Sequence, residues 1–321
     1  MNTMDSTALH VALHRLRRKL TFWRVVAIGA LAVLAGWAFS RAVAPDAGEH
    51  IARLRIDGFI LGKQEKIDLI EKLAKKKNVR AVIVRINSPG GSTAGAEAIY
   101  RALKRLAKKK PVVTVMDSVA ASGGYMVALA GERMLAGRNT ITGSIGVIMQ
   151  WPELNELLGR VGVRVQTIRS GPLKALPNSL EPTPQEAREV LESMVREAYD
   201  WFVQLVARRR GLDEASARRL ADGRIYSGLQ AVKLGLVDEL GDEHAARAWL
   251  REKYNLPKDI RVISYRPRRP LLQQLGLPAA LAFLWRALGA DATTAPLFMP
   301  PAGLDGMLSV WHPRPAATGG R

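Results

Sequence analysis

Two glycine-bearing turns and one lysine in an apolar setting are where this sequence could do chemistry. The first turn, Ser88-Pro89-Gly90-Gly91, ends the β-branched run VRAVIVRI. Consecutive glycines there let a substrate carbonyl approach backbone amides, one way to build an oxyanion hole. The second, Ala120-Ala121-Ser122-Gly123-Gly124, sets a serine hydroxyl at the start of a helix beside an exposed N–H of Gly123. Both could equally be tight turns at close helix–strand packing. A serine nucleophile needs a base. The histidines are His10, His14, His50, His244 and His312, and none lies between Ile51 and Glu243. A histidine triad would have to recruit His244, which carries no supporting motif, and no H-E-x-x-H zinc pattern exists. Zero cysteines exclude disulfides, thiolate zinc sites and a cysteine nucleophile. Lys174, in Ser170-Gly171-Pro172-Leu173-Lys174-Ala175, stands apart from the lysine runs at 75–77 and 108–110. A lysine drawn from water into an apolar pocket has its charged form disfavoured, as a base requires. A surface lysine in a loop is the plain alternative.

The elements that must position these residues follow from periodicity. Alternation predicts strands over 51–56, 79–86 and 112–116, with helices over 64–77, 93–107 and 125–130 between or after them. Further strands are expected at 145–149 and 163–168, with a helix at 153–160 between them. A long helix is expected to open at Thr183, with Pro184 in its first position and Glu186 completing a capping box. Shorter helices are read at 213–220, 228–234 and 242–253. Strands alternating with helices predict an α/β fold with a parallel or mixed sheet covered on both faces.

The chain of 321 residues carries 48 Lys+Arg against 29 Asp+Glu, a net charge of +19. Sparse aromatics without a base-stacking motif do not favour a nucleic-acid partner. Part of the charge, Arg15, Arg17, Arg18, Lys19 and Arg24, precedes an uncharged stretch reaching to Ser40. With Leu20, Phe22 and Trp23 the apolar segment approaches the roughly 20 residues that span a bilayer. The expected division is a cytoplasmic basic N-terminus at 1–19, a transmembrane signal anchor at 20–40, a linker at 41–50, a catalytic domain at 51–265 and a Pro/Gly/Ala-rich tail at 266–321. Positive charge on the N-terminal side predicts that everything after Arg41 lies outside the cytoplasm. A cleaved signal peptide ending near Ala38-Phe39-Ser40 is the rival. Within the tail, 271–288 is read as a surface-lying or partner-binding helix.

Six motifs in order, SPGG (88–91), AASGGY (120–125), TGSIGV (142–147), SGPLKA (170–175), DGRIYSG (222–228) and LGLVDELG (234–241), resemble the signal peptide peptidase A family in its short, single-copy form. The resemblance covers about 51–253. It implies a Clp protease/crotonase-like fold of repeated ββα units preceded by one N-terminal transmembrane helix. It also implies a membrane serine protease needing no cofactor and no metal, with Ser122 as nucleophile and Lys174 as general base. Ser144 would orient the lysine, and Gly91 and Gly123 would form the oxyanion hole. Implied partners are remnant signal peptides or other apolar peptides, membrane lipid, and copies of the chain in a ring that shares the dyad between subunits. The implied location is a bacterial inner membrane, single-pass, with the catalytic domain periplasmic. Two departures stand out. Ala175 replaces an acidic residue common after the lysine, and the tail has no counterpart in the short forms. Rival readings are a crotonase-type acyl-CoA enzyme, which has no use for an anchor or Lys174, and a non-enzymatic membrane scaffold of the same fold.

Overall fold

A computed structural model of the chain describes residues 18–34 and 48–267 and the backbone of 308–310. It forms two compact units, 1–48 and 49–321. Within the first, residues 18–34 form one helix, α1, exposed along its length. Among the described residues, no helix is long and apolar enough to cross a membrane. The span expected at 20–40 runs past that helix, its last six residues lying outside the described ones. So does the helix expected at 271–288.

The second unit opens with β1 (His50–Asp57), α2 (Gln64–Lys75), β2 (Val79–Ser88), β3 (Gly90–Ser92), α3 (Thr93–Ala107), β4 (Val112–Ala121), α4 (Gly123–Ala128), β5 (Arg133–Ala136) and β6 (Ile141–Gly143). It continues through α5 (Asn155–Arg160), α6 (Gln185–Arg210), α7 (Glu214–Leu220), β7 (Ile225–Ser227), α8 (Gly228–Lys233), β8 (Glu239–Leu240), α9 (Glu243–Tyr254), β9 (Arg261–Tyr265) and β10 (Leu308–Val310). This is a mixed α/β fold. The main sheet runs β7-β6-β4-β2-β1-β9, with β5 on β4 and β8 on β5. Every pairing in it is parallel except β6 with β7.

Period-2 alternation assigns the two faces of the sheet. Ala52, Leu54 and Ile56 of β1, with Val82, Val84 and Ile86 of β2, enter the larger core that α3, α4 and α6 cover. Their neighbours Ile51, Ala81 and Ile83 face the other way, with Val113, Val115 and Leu135, against Ala246 and Leu250 of α9. Burial on both faces is why these strands read as near-continuous apolar runs.

Several expectations need correction. No strand forms at 145–149 or 163–168. Positive φ at Gly143 (78°) and Ser144 (48°) turns the chain off the sheet, and Val163, Val165 and Ile168 stand exposed. Helix α6 begins after Pro184 without a side-chain cap. The Thr183 hydroxyl instead donates to Glu153 at 2.8 Å and accepts from the Trp151 indole at 3.0 Å. Helix α4 starts at Gly123, directly after the serine.

Candidate active site

Strand β4 changes partners along its length, and that change builds the site. Its first half, Val113–Met116, pairs with β5, and its last three residues, Val119–Ala121, pair with β6. The Thr140 and Thr142 hydroxyls stitch the second pairing, donating to the carbonyls of Asp117 (2.6 Å) and Ala120 (2.7 Å). Ser122 follows at once, with φ 54° and ψ −117°, backbone angles that glycine ordinarily supplies. A serine held there stores strain of about 1–3 kcal/mol, a feature of functional sites. Its own N–H donates to the Gly143 carbonyl at 2.8 Å and its carbonyl accepts from Met126 at 2.9 Å. The amide of Gly123, in the first turn of α4, lies outside the helical ladder. The residue is 1% exposed.

Ser144 arrives beside it through register. Ala121 pairs with Gly143, so the next residues of both strands, Ser122 and Ser144, leave the sheet together. Ser144 also has positive φ, is 8% exposed and donates its N–H to the Arg224 carbonyl at 2.8 Å. Arg224 is placed by β7, whose Tyr226 packs on Gly143. Burial, aided by the charge of Asp222, pushes the Tyr226 phenol up, so it stays a neutral donor to Leu220.

The glycine turns are close approaches. Ser88, fully buried, donates its hydroxyl to the Gly58 carbonyl at 2.6 Å and accepts the Gly90 N–H at 3.1 Å. A Cβ on Gly124 would stand 2.7 Å from the Ser88 carbonyl oxygen, so α4 rests directly on the end of β2. Gly91 is bound as tightly to Ile60, whose N–H donates to Gly90 and whose carbonyl accepts from Ser92, both at 2.9 Å. Ser88, Thr140 and Thr142 thus position the site without reaching it. Ser88 and Thr142 lie inside quoted motifs, and their hydrogen-bonding types are the signal that could have singled them out.

The structure therefore brings together Ser122, Gly123 and Ser144, with Gly91 on the adjoining strand end. Lys174 is not brought to them. It lies exposed in the turn 172–175, where its backbone N–H donates to the Gly171 carbonyl at 3.1 Å. Among the described residues no hydrogen bond joins its ammonium to either serine. The surrounding arm exposes Ile148, Leu154, Leu157, Val161, Val163, Val165, Ile168 and Leu180. Among the described residues no group of three or more His, Asp or Glu side chains forms a metal site.

The class of protein follows from comparison with known chains. Residues 104–257 match the model of peptidase family S49. A Synechocystis sp. protein bearing a protease name, slr0021, is 37% identical over 229 residues, which is 71% of this chain and 83% of that one. "Serine protease SPPA, chloroplastic" of Arabidopsis thaliana is 32% identical over 253 residues, 77% of this chain and 37% of that one. Among solved structures, a ClpP1 mutant from Listeria monocytogenes overlaps with a TM-score of 0.41 at 20% identity, over 59% of this chain and 91% of that one. This is a protease-type chain of mixed α/β fold. It belongs to peptidase family S49.

Proposed function

We propose that this chain is a serine endopeptidase with a Ser122/Lys174 dyad that degrades remnant signal peptides or other apolar peptides at a membrane. The observation that carries this reading is the strained Ser122 turn, set beside Ser144 with Gly91 on the adjoining strand end. In the proposed reaction the Ser122 hydroxyl oxygen attacks the peptide carbonyl carbon and its proton passes to Lys174. The amides of Gly91 and Gly123 hold the oxyanion, because the Ser122 amide is already committed to Gly143. Lys174 then protonates the leaving amine, and water attacks the acyl-enzyme by the same route in reverse.

The exposed position of Lys174 supports a shared site. An arm carrying eight exposed aliphatic side chains is an apolar surface open to a partner. On this reading it packs against a neighbouring copy in a ring and delivers Lys174 to that copy's Ser122. The rest of the proposal is a Clp protease/crotonase-like arrangement of ββα units, anchored by the N-terminal segment in a bacterial inner membrane with the catalytic domain periplasmic and close to lipid. The test is cleavage of an apolar signal-peptide substrate by the purified full chain, with Ser122→Ala and Lys174→Ala. Each substitution is expected to lower kcat by about a thousandfold or more while leaving assembly by size-exclusion chromatography intact. Undiminished cleavage by either variant would remove the dyad. Mixing the two inactive variants should restore part of the activity, as a site built from two chains requires.

A further inference from the structure

Parallel strands begin at one end of a sheet, so the loops leading into β2 and β4 lie side by side at the end where His50 brings the chain in. Each loop carries a lysine triplet, 75–77 before β2 and 108–110 before β4. The structure joins the two, because the Lys110 ammonium donates to the Val79 carbonyl at 2.5 Å and to that of Lys76. Around this link Lys72, Lys75, Lys77, Lys108 and Lys109 are exposed, and among the described residues none of the five forms a salt bridge. The nearby acids Glu49, Glu71 and Glu132 are already held by Arg80, Arg105 and Lys253. A helix C-terminus attracts cations within its last turn, which accounts for Lys72 and Lys75 of α2. Lys77 and Lys109 stand beyond the helices and have no such reason. The crowding of like charge reaches their neighbours. Burial, with the charges of Arg209 and Lys108 adding, holds the Lys104 ammonium below its usual range, and burial with Arg80 does the same at Lys110.

We propose that this end of the domain, centred on Lys75–Lys77 and Lys108–Lys110, docks on an anionic bilayer surface. The inference rests on the membrane location in the reading above, and adds to it the face and the charge of the lipid. Lysine ammoniums on flexible stems suit a surface of scattered anionic headgroups, and each well-placed one strengthens the contact roughly fivefold. No aromatic residue is interleaved in 75–80 or 108–111, as stacking on nucleic-acid bases would need. The chain also reaches this end ten residues after the uncharged stretch that closes at Ser40. Ser122 follows the opposite end of β4, so docking here leaves the serine clear of the contact.

The experiment places the full chain in vesicles of phosphatidylcholine, alone or mixed with phosphatidylglycerol, and follows acetylation of each lysine by mass spectrometry. Labelling at Lys75, Lys77, Lys108 and Lys109 is expected to slow about fivefold or more in the anionic vesicles. Salt at about 1 M, which cuts the screening length to about 3 Å, should restore it. Lys63, at the other end of the twelve-residue α2, is the control and should keep its rate. Combining Lys77→Gln, Lys108→Gln and Lys109→Gln should remove most of the protection of Lys75 and leave cleavage of a soluble peptide in detergent unchanged. The wild-type comparison stands by itself if thermal melting shows that this variant fails to fold. Equal labelling in both vesicles, or slowing shared by Lys63, overturns the docking face, while flotation of the chain with both leaves the membrane reading standing. A chain that floats with neither overturns both. Protection by an added RNA oligonucleotide, absent with the anionic vesicles, assigns this end to nucleic acid and overturns the proposal.

Discussion

Replacing Gly91 by alanine tests how the fold sets the proposed oxyanion hole. A Cβ at this position would stand 2.5 Å from the Ile60 amide nitrogen and 2.7 Å from its carbonyl carbon, and closer still to its oxygen. All three are backbone atoms, which cannot swing aside like the end of a side chain. Carbon–oxygen contacts settle at about 3.3 Å or more, so Ile60 and Gly91 must part by about 1 Å. The two flanking hydrogen bonds, both 2.9 Å, would stretch beyond useful length. Losing both, each worth about 1 kcal/mol, with buried groups left unpaired, predicts a destabilisation of about 2–4 kcal/mol. In a domain of this size that lowers Tm by roughly 4–16 °C. The Gly91 amide would shift by the same 1 Å, out of the donor range an oxyanion requires, and kcat should fall about 10²–10³-fold. Thermal melting and steady-state cleavage of one peptide by the same preparation measure both losses. Gly159→Ala is the control, since nothing lies within 4 Å of a Cβ there and alanine favours helix α5. A Gly91→Ala protein that melts like wild type and keeps its kcat within twofold would refute the account of this edge.

Ser122→Gly should abolish cleavage yet leave the domain about 1 kcal/mol more stable than Ser122→Ala, because glycine relaxes at φ 54° and ψ −117°. Urea denaturation of the two variants gives the difference, and equal stability would show that the turn holds no strain. At Asp242, which caps α9, the amide of Ala245, with that of His244 adding, holds the carboxyl below its usual range despite burial that opposes this. A depressed carboxylate contributes stability above its unfolded pKa of about 3.9, and that contribution fades as pH falls through the folded value. Asp242→Asn keeps a capping acceptor but does not titrate. Its loss of stability between about pH 5 and pH 3 should therefore be shallower than that of wild type, by at most about 1 kcal/mol, the worth of a cap. Parallel acid titrations followed by circular dichroism would settle the slope.

The strongly periodic elements were legible in the sequence. Helix α3 spans 93–107 as expected, because Ser92 caps it on the Gly95 N–H and its apolar residues recur at helical spacing. Strands β5, β6, β7 and β8 were not foreseen, since two to four residues carry no period. The error at 163–168 has the opposite cause. Val163, Val165 and Ile168 give an apolar pattern, but they lie on an exposed arm and pair with no strand among the described residues. The capping box at Thr183 failed because tertiary partners, Trp151 and Glu153, took the hydroxyl. Ser122 and the two glycine turns were readable as motifs. Their proximity was not, because it depends on β4 passing from β5 to β6, a handover that no local pattern encodes.

The parallel run of β1, β2 and β4 separates the chain's entry into the sheet from Ser122. His50, where the chain comes into the sheet, is level with Val79, and Val82 is level with Val112. Ser122 lies past the far end of the ten-residue β4. At about 3.3 Å per residue, roughly 30–40 Å separate the two. The chain therefore enters the sheet at the end opposite Ser122, the serine of the proposed reaction. On the proposed reading, substitutions at the entry end of the sheet bear on stability and those at its far end on cleavage.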